Sequence, residues 1–296
     1  MERISRYLGP LVALAVFAGV LWLLHRELAE YHWHDVLAGM QQIAWPRIVA
    51  AIAITALSYG VLIGYDYLAL RELEKSIPLP RVALASFCGF VTGYNFGAML
   101  GGTSVRYRLY SAWGLSTVDI VQLMALIAVT FWVGLAALGG TLLTFDALPL
   151  PTSLHLPITT ARPVGLLLLS SAVLLLGASV AIRKPLSWRG WSLKLPPWRM
   201  LLVQMVLGAV DLTIAALVPF VLLPESISIS FEHFLAAYLL GVAISLVSHV
   251  PGGLGILEFV MIAVLQPAQP ADLLASLLVF RAIYFLLPLG VCVLSL

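Results

Sequence analysis

The chain has 296 residues, of which 61% are hydrophobic and 10% are charged, and its formal net charge is +2. Soluble domains carry about 25% charged residues, so this composition excludes an ordinary soluble protein and indicates an all-α polytopic membrane protein. The small net charge says little about partners, because the placement of charges matters more than their sum. Cys88 and Cys292 both lie in apolar runs, which predicts buried thiols and no disulfide framework.

The chain begins with a short basic segment that contains Arg3 and Arg6, followed by an apolar run at residues 8–24. This run is long enough to span a bilayer, at the lower limit. Because basic residues stay on the cytoplasmic side, we expect a cytoplasmic N-terminus. No small-residue cleavage site precedes His25, so we expect a retained helix and not a cleaved signal peptide.

Residues 25–47 are polar, and a set of apolar residues recurs there at helical spacing: Val36, Leu37, Met40 and Ile43. The spacing predicts an amphipathic helix that lies on the outer face of the membrane. His32 and His34 beside Asp35 are weak evidence for a metal ion, and we expect neither a metal site nor a cofactor.

Further apolar runs predict spans at residues 48–70, 118–145, 164–182, 200–223 and 273–296. Ser116 followed by Asp119 predicts a capping box that starts the helix over residues 118–145.

Two other apolar runs contain residues that break a helix. Residues 82–100 lead into the turn residues Gly101, Gly102, Thr103 and Ser104, and residues 234–265 contain Pro251, Gly252, Gly253 and Gly255. Proline removes a backbone donor and glycine allows sharp bends, so each run should form two half-helices that meet at an irregular turn. A glycine and proline kink that serves only packing is the alternative.

The basic loops decide the predicted topology. Residues 183–199 hold five basic residues and no acid, which assigns this loop to the cytoplasmic side. If residues 82–100 crossed fully, this loop would lie outside. If residues 82–109 instead enter and return, every basic loop falls on the cytoplasmic face. The sequence therefore predicts two re-entrant broken-helix hairpins that face each other from opposite leaflets. It also predicts an inverted repeat, with halves at about 47–145 and 199–296 of a single 1–296 domain.

Ionisable residues at membrane depth are expensive and are therefore functional candidates. Asp211, Glu258 and Arg281 lie inside apolar runs, and Asp66 lies near the end of one. The structural alternative is that Asp211 or Glu258 pairs with Arg281 to hold the helices together.

Arg106 and Arg108 follow the first turn, where Thr103 or Ser104 would cap a helix. A cation in the first turn of a helix opposes the helix dipole, so we expect an anion there, with a phosphate as the natural candidate. Two interfacial arginines that anchor the hairpin at lipid headgroups are the alternative. Glu258 follows Gly255 in a first turn, where a carboxylate is favoured. One hairpin thus offers positive charge and the other negative charge.

Two motifs carry a resemblance to a known family: residues 101–116, which begin Gly-Gly-Thr-Ser-Val-Arg, and residues 251–258, Pro-Gly-Gly-Leu-Gly-Ile-Leu-Glu. Over nearly its whole length the chain resembles the transmembrane flippase region of the bacterial lysylphosphatidylglycerol synthase/flippase family, the multiple peptide resistance factors. The resemblance implies a multi-pass protein of the bacterial cytoplasmic membrane. Such a protein moves aminoacylated phosphatidylglycerol to the outer leaflet and thereby protects against cationic antimicrobial peptides. Acidic and arginine residues of the flippase region matter in the family, and they match Asp66, Arg106, Arg108, Asp211 and Glu258.

The hypothesis from residues and resemblance together is a lipid flippase whose substrate-binding residues are these five and Arg281. The arginines would hold the phosphate, and the acids would meet the lysyl ammonium groups. Its partner is a membrane phospholipid; no nucleic acid is expected, and a homodimer is left open. Full-length relatives continue into a soluble synthase domain, so we expect either the flippase part of such a protein or a stand-alone member.

The alternatives are an ion-coupled transporter of another lipid or solute, the membrane half of a phosphatidylglycerol lysyltransferase, a membrane-embedded enzyme, and a plain anchor. No catalytic constellation is evident, which leaves enzymatic activity open.

Overall fold

A computed structural model describes residues 33–145, 148–149, 159–182, 186–188, 191–193, 196–225, 227–248 and 253–295. Predictions for the helix at residues 8–24, for His32, and for Pro251 and Gly252 lie outside these residues. The described chain is almost entirely helical, and six of its helices are long and apolar enough to cross a membrane. The prediction of an all-α polytopic membrane protein is confirmed.

The long helices are α2 (Trp45–Glu72), α5 (Thr117–Phe145), α6 (Arg162–Ala181) and α7 (Trp198–Val221). Their bounds lie within a few residues of the predicted spans. Proline occupies the first turn of α2 and α6, where the missing N–H leaves no hydrogen bond unmade. α2 packs on α7, and α5 packs on both α6 and α7, so these four helices form the frame that holds the remaining elements.

The first hairpin consists of α3 (Leu79–Phe96), a π-helical turn (Ala98–Gly102) and α4 (Thr103–Ala112). The chain reverses at Gly97, whose φ of 89° is a conformation that side chains rarely adopt. α4 and the π turn then pack back against α3. The run is broken, as predicted, but the position of the turn is wrong: the reversal lies at Gly97, while Gly101 and Gly102 belong to the π turn and Thr103 and Ser104 to α4. That this hairpin enters and leaves the membrane on the same side stays a prediction.

The second hairpin consists of α8 (Phe231–Ser248) and α9 (Ile256–Leu265), which pack against each other. Gly255 precedes α9 with a φ of 84° and takes the place of an N-cap residue. The apolar run at 234–265 is therefore two half-helices, as predicted. α9 has 10 residues, which extend about 15 Å and cover half of a bilayer core.

The last apolar run forms the predicted span as a continuous helical segment, Pro270–Ser295, which is the sixth of the candidate spans. It consists of α10 (Pro270–Arg281), a π-helical turn (Ala282–Leu286) and α11 (Leu287–Ser295), and the π turn was not predicted. Pro288 explains part of the interruption, because it has no N–H to offer to the carbonyl of Tyr284. π turns inside helices occur frequently at functional sites.

Smaller elements follow the sequence in part. The amphipathic helix is α1 (Trp33–Gln42), and Val36 on its apolar face is 2% exposed in a cluster with residues of α10. The capping box is present, since the Ser116 backbone N–H donates to Asp119 Oδ2 and the Asp119 backbone N–H donates to the Ser116 hydroxyl, both at 3.2 Å. One difference lies in the loop at 183–199, where strands β1 (Leu186–Trp188) and β2 (Trp191–Leu193) form a short antiparallel pair.

Candidate functional site

Three acidic side chains lie buried among the described helices. Asp66 on α2 is 0% exposed, Asp211 on α7 is 2% exposed and Glu258 on α9 is 3% exposed. A charge removed from water is costly unless it is paired or hydrogen-bonded. The contacts of these three carboxylates therefore show which parts of the protein interior stabilise a charge.

The first ion pair joins α2 to the first hairpin. Arg106 donates from Nε to Asp66 Oδ1 and from Nη2 to Asp66 Oδ2, both at 3.0 Å, and Tyr110 donates to Asp66 Oδ1 at 2.9 Å. The guanidinium also lies against the ring of Phe90, 4.3 Å from its centroid. A Cβ added at Gly89 would lie 2.7 Å from the guanidinium carbon, so only glycine leaves room for the arginine.

The second ion pair joins the second hairpin to α10. Arg281 donates to both carboxylate oxygens of Glu258, with the Nη2 contact at 2.9 Å, and to the carbonyl of Gly253 at 3.0 Å. Glu258 also accepts from the backbone N–H of Gly255 at 3.0 Å, which fixes it at the start of α9. Arg281 is the last residue of the 12-residue α10, about 16 Å along this helix.

Asp211 has no basic partner among the described residues. Tyr65 on α2 donates to its Oδ2 at 2.8 Å, while Oδ1 has no hydrogen-bond partner within the described part of the chain. The Ser58 hydroxyl lies beside the same carboxylate. Asp211 therefore ties α7 to α2 at the centre of the frame.

Hydroxyl groups connect this centre to the second ion pair. Ser58 is hydrogen-bonded to the Tyr284 hydroxyl at 2.8 Å, and Tyr59 donates to the Tyr284 carbonyl at 3.1 Å. Pro288, four residues later, cannot donate to this carbonyl, so the tyrosine hydroxyl supplies a donor in its place. The neighbouring Phe285 ring lies 5.4 Å from the Arg281 guanidinium carbon.

The first hairpin also contacts the π turn that contains Tyr284 and Phe285. Asn95, near its turn, donates to the Phe285 carbonyl at 3.2 Å. We call the whole series the polar column; it contains Arg106, Asp66, Tyr65, Asp211, Ser58, Tyr284, Arg281 and Glu258. Hydrogen bonds join Tyr65 to Asp211 and Ser58 to Tyr284, while the backbone alone connects Tyr65 to the first ion pair and Tyr284 to the second. Each hairpin contributes one ion-pairing side chain to this set.

This arrangement can exchange partners. Arginine forks bind phosphate as well as carboxylate, and carboxylates bind ammonium as well as guanidinium. A molecule that carries both a phosphate and an ammonium group could replace both partners of such a pair at once.

The six predicted residues fall into different environments. Asp66 pairs with Arg106 and Glu258 with Arg281, as the structural alternative foresaw for Glu258, while Asp211 stays apart. Arg108 is exposed on the opposite side of α4 and joins neither pair.

The expected cap by Thr103 or Ser104 is wrong. α4 continues directly from the π turn without a side-chain cap, and the Thr103 backbone N–H donates to the Ala98 carbonyl. The Thr103 hydroxyl also turns back to this carbonyl, at 3.0 Å. An anion at this position would therefore depend on side chains.

Sequence reasoning missed the hydroxyl groups that complete the column. A signal for them existed, because polar residues recur along one face of α2: Thr55, Ser58, Tyr59, Tyr65 and Asp66. The partner Tyr284 carried no comparable signal, since it stands among apolar neighbours in the last run.

Comparisons with known proteins agree with this architecture. The family model "Lysylphosphatidylglycerol synthase TM region" matches residues 11–292. An uncharacterized protein of Synechocystis is 35% identical over all of this chain and 92% of its own length. The inner membrane protein YbhN of Escherichia coli is 29% identical over 92% of this chain and 86% of its own length. A phosphatidylglycerol lysyltransferase of Staphylococcus aureus is 25% identical over 97% of this chain, which covers 33% of that enzyme.

Proposed function

This chain belongs to the family of lysylphosphatidylglycerol synthase transmembrane regions, and from that premise we propose that it flips aminoacylated phosphatidylglycerol between leaflets. The lipid is lysylphosphatidylglycerol, and the direction is from the inner to the outer leaflet of the bacterial cytoplasmic membrane. More lysyl lipid outside lowers the negative surface charge and weakens the binding of cationic antimicrobial peptides.

The observation that carries this proposal is the pair of buried acid–arginine contacts, one at each hairpin. The headgroup of the lipid combines a phosphate with the ammonium groups of lysine. Its phosphate matches the guanidinium of Arg106 or Arg281, and its ammonium groups match Asp66 or Glu258. The two ion pairs therefore supply every charge that the headgroup needs.

The hairpins provide the route. Each has a long arm of 18 residues and a short arm of 10 residues, in α3 with α4 and in α8 with α9. This correspondence supports an inverted repeat with halves at about 47–145 and 199–296, in which the hairpins enter from opposite leaflets. Transporters with such repeats place their binding sites between broken helices near the bilayer midplane.

The headgroup moves by exchange of partners. It enters at one hairpin, displaces the resident acid from its arginine, and passes along the polar column to the second pair. At each step the displaced side chains keep an opposite charge within reach, so that no charge crosses bare hydrocarbon, where it would be costly. The acyl chains remain in lipid.

The experiment uses purified protein in liposomes that contain lysylphosphatidylglycerol. A membrane-impermeant amine reagent labels only the lysyl lipid of the outer leaflet, so that continued labelling reports translocation. We expect rapid labelling of the inner pool with wild-type protein and a loss of at least tenfold in rate with Asp66→Ala or Arg106→Ala. Arg108→Ala is the matched control, because this exposed arginine lies on the same helix outside the ion pair. Equal rates in all four proteins would contradict the proposal.

A further inference from the structure

Asp211 differs from the other two buried acids in its electrostatic environment. In the described part of the chain, Asp66 and Glu258 each face an arginine, whereas Asp211 accepts one hydrogen bond from Tyr65 and has an oxygen left over. Two turns earlier on the same face of α7, Gln204 is 0% exposed, and neither atom of its amide has a partner in the described chain. This face of α7 therefore carries buried hydrogen-bonding atoms that have no partner in the described chain.

The groups that face Asp211 are neutral. Tyr65 contacts it directly. Further tyrosines from α2, the first hairpin, α8 and the π turn after α10 lie near enough to feel its charge: Tyr59, Tyr94, Tyr238 and Tyr284. Arg106 and Arg281 are bound to their own carboxylates. Among the residues that the structure describes, no cation is bound to Asp211 itself.

A carboxylate without a cation in such a site is disfavoured, and it is neutralised most simply by a proton. The helices around it pack tightly, since Tyr65 is 0% exposed and Tyr284 is 3% exposed. A bare proton reaches this carboxylate without any movement of the helices, whereas a hydrated metal ion or a lipid ammonium group could pass only after these helices move apart. Protonation at Oδ1 also turns the unpartnered oxygen into a hydrogen-bond donor.

We propose that Asp211 is a proton-binding site that couples proton movement to the exchange of the two ion pairs. The step is the transfer of one proton from a hydronium ion to the Asp211 carboxylate, which forms the O–H bond of the neutral acid, releases one water molecule and leaves the Tyr65 hydrogen bond in place. The coupling, although not the proton site itself, rests on the lipid-translocation function proposed above.

The contacts of Asp211 lead, directly or through one further side chain, to residues that are close in the chain to a member of each ion pair. Tyr65, which binds Asp211, directly precedes Asp66 of the first ion pair. Ser58, which lies beside Asp211, binds Tyr284 in the π turn, and this turn begins directly after Arg281. A change of charge at Asp211 is therefore felt by residues adjacent to both pairs.

The proton site is tested by infrared spectroscopy of the full chain in lipid nanodiscs near neutral pH. We expect the C=O stretch of a protonated carboxyl group, absent in Asp211→Asn and present in Glu225→Gln, the control variant that removes an exposed acid. If Asp211→Asn fails to fold, Asp211→Glu should shift the band. A band that is missing in the wild type, or unchanged by both Asp211 variants, overturns the proposal.

The coupling is tested with wild-type protein in the liposome assay. An imposed pH gradient should change the initial rate of lysyl-lipid labelling severalfold, and a protonophore should abolish the difference. If the lipid moves at a rate that ignores the gradient, the coupling is wrong while the lipid function stands. If no lipid moves at all, the lipid function and the coupling both fail, and the infrared band still decides the proton site.

Discussion

The ion pair of Asp66 and Arg106 allows a quantitative test of how the interior holds charge. The carboxylate side chain is 0% exposed and the arginine side chain 7% exposed, and two hydrogen bonds of 3.0 Å join them. Removing one partner of a buried pair leaves an uncompensated charge and costs about 3–5 kcal/mol. We therefore expect Asp66→Asn and Arg106→Met each to lower the folding equilibrium by between about a hundredfold and several thousandfold.

The double variant should be far less unstable than the sum of the single variants. When both charges are replaced by neutral groups of similar size, neither remains unpaired, so the coupling energy should be about 3 kcal/mol or more. Reversible unfolding of the protein in mixed micelles, followed by circular dichroism, measures all four free energies.

A second cycle on Lys75 and Asp119 is the control. Their charged atoms lie 3.0 Å apart, but the side chains are 40% and 18% exposed, and Lys75 in particular is solvated. Pairs of this kind contribute little, so this cycle should show much weaker coupling. Coupling at Asp66 and Arg106 as weak as that at the exposed pair would refute the reasoning about buried charge.

Three further variants probe single contacts, and each is measured by the same unfolding assay. Gly89→Ala should displace the Arg106 guanidinium, because the new Cβ would lie 2.7 Å from its central carbon. The loss of stability should therefore approach that of Arg106→Met. An unchanged free energy of unfolding would contradict the close approach of Gly89 to the arginine. Tyr59→Phe should cost about 1–3 kcal/mol, since it leaves the buried Tyr284 carbonyl without a donor; an unchanged free energy would show that another group replaces it. Arg281→Lys should destabilise by about 1–2 kcal/mol although it keeps the charge, because lysine cannot form the two-pronged contact; full stability in this variant would mean that charge alone is needed.

The sequence predicted those parts of the fold that depend on local chemistry. A break in each of the two glycine-containing runs follows from glycine's freedom to adopt positive φ, although the first break lies at Gly97 and not at the predicted turn. The Ser116 cap follows from a short-range hydrogen-bond pattern. Each of these features needs only a few neighbouring residues. The spans were predictable for a similar reason, since a run of apolar residues is a local property.

The features that the sequence did not predict depend on partners that are distant along the chain. Asp66 and Arg106 are 40 residues apart, and their pairing requires the first hairpin to fold back beside α2. The π turn after Arg281 owes part of its stability to Tyr59, 225 residues away from the Tyr284 carbonyl that it binds. The prediction of a cap at Thr103 was wrong because α4 continues directly from the π turn and has no separate start for a side chain to cap. The sequence identified which buried positions carry a charge, but the packing of helices that are distant along the chain determines which of these charges form pairs.

The central claim is that the charges at the two hairpins hold a lipid headgroup. The most direct measurement is a structure of the full chain in nanodiscs that contain lysylphosphatidylglycerol, determined beside one in phosphatidylcholine. The account predicts headgroup density at the Asp66–Arg106 pair or the Glu258–Arg281 pair, with at least one of the two contacts opened, in the first sample alone. Both ion pairs closed, with the lysyl lipid confined to the bilayer surface, would contradict it.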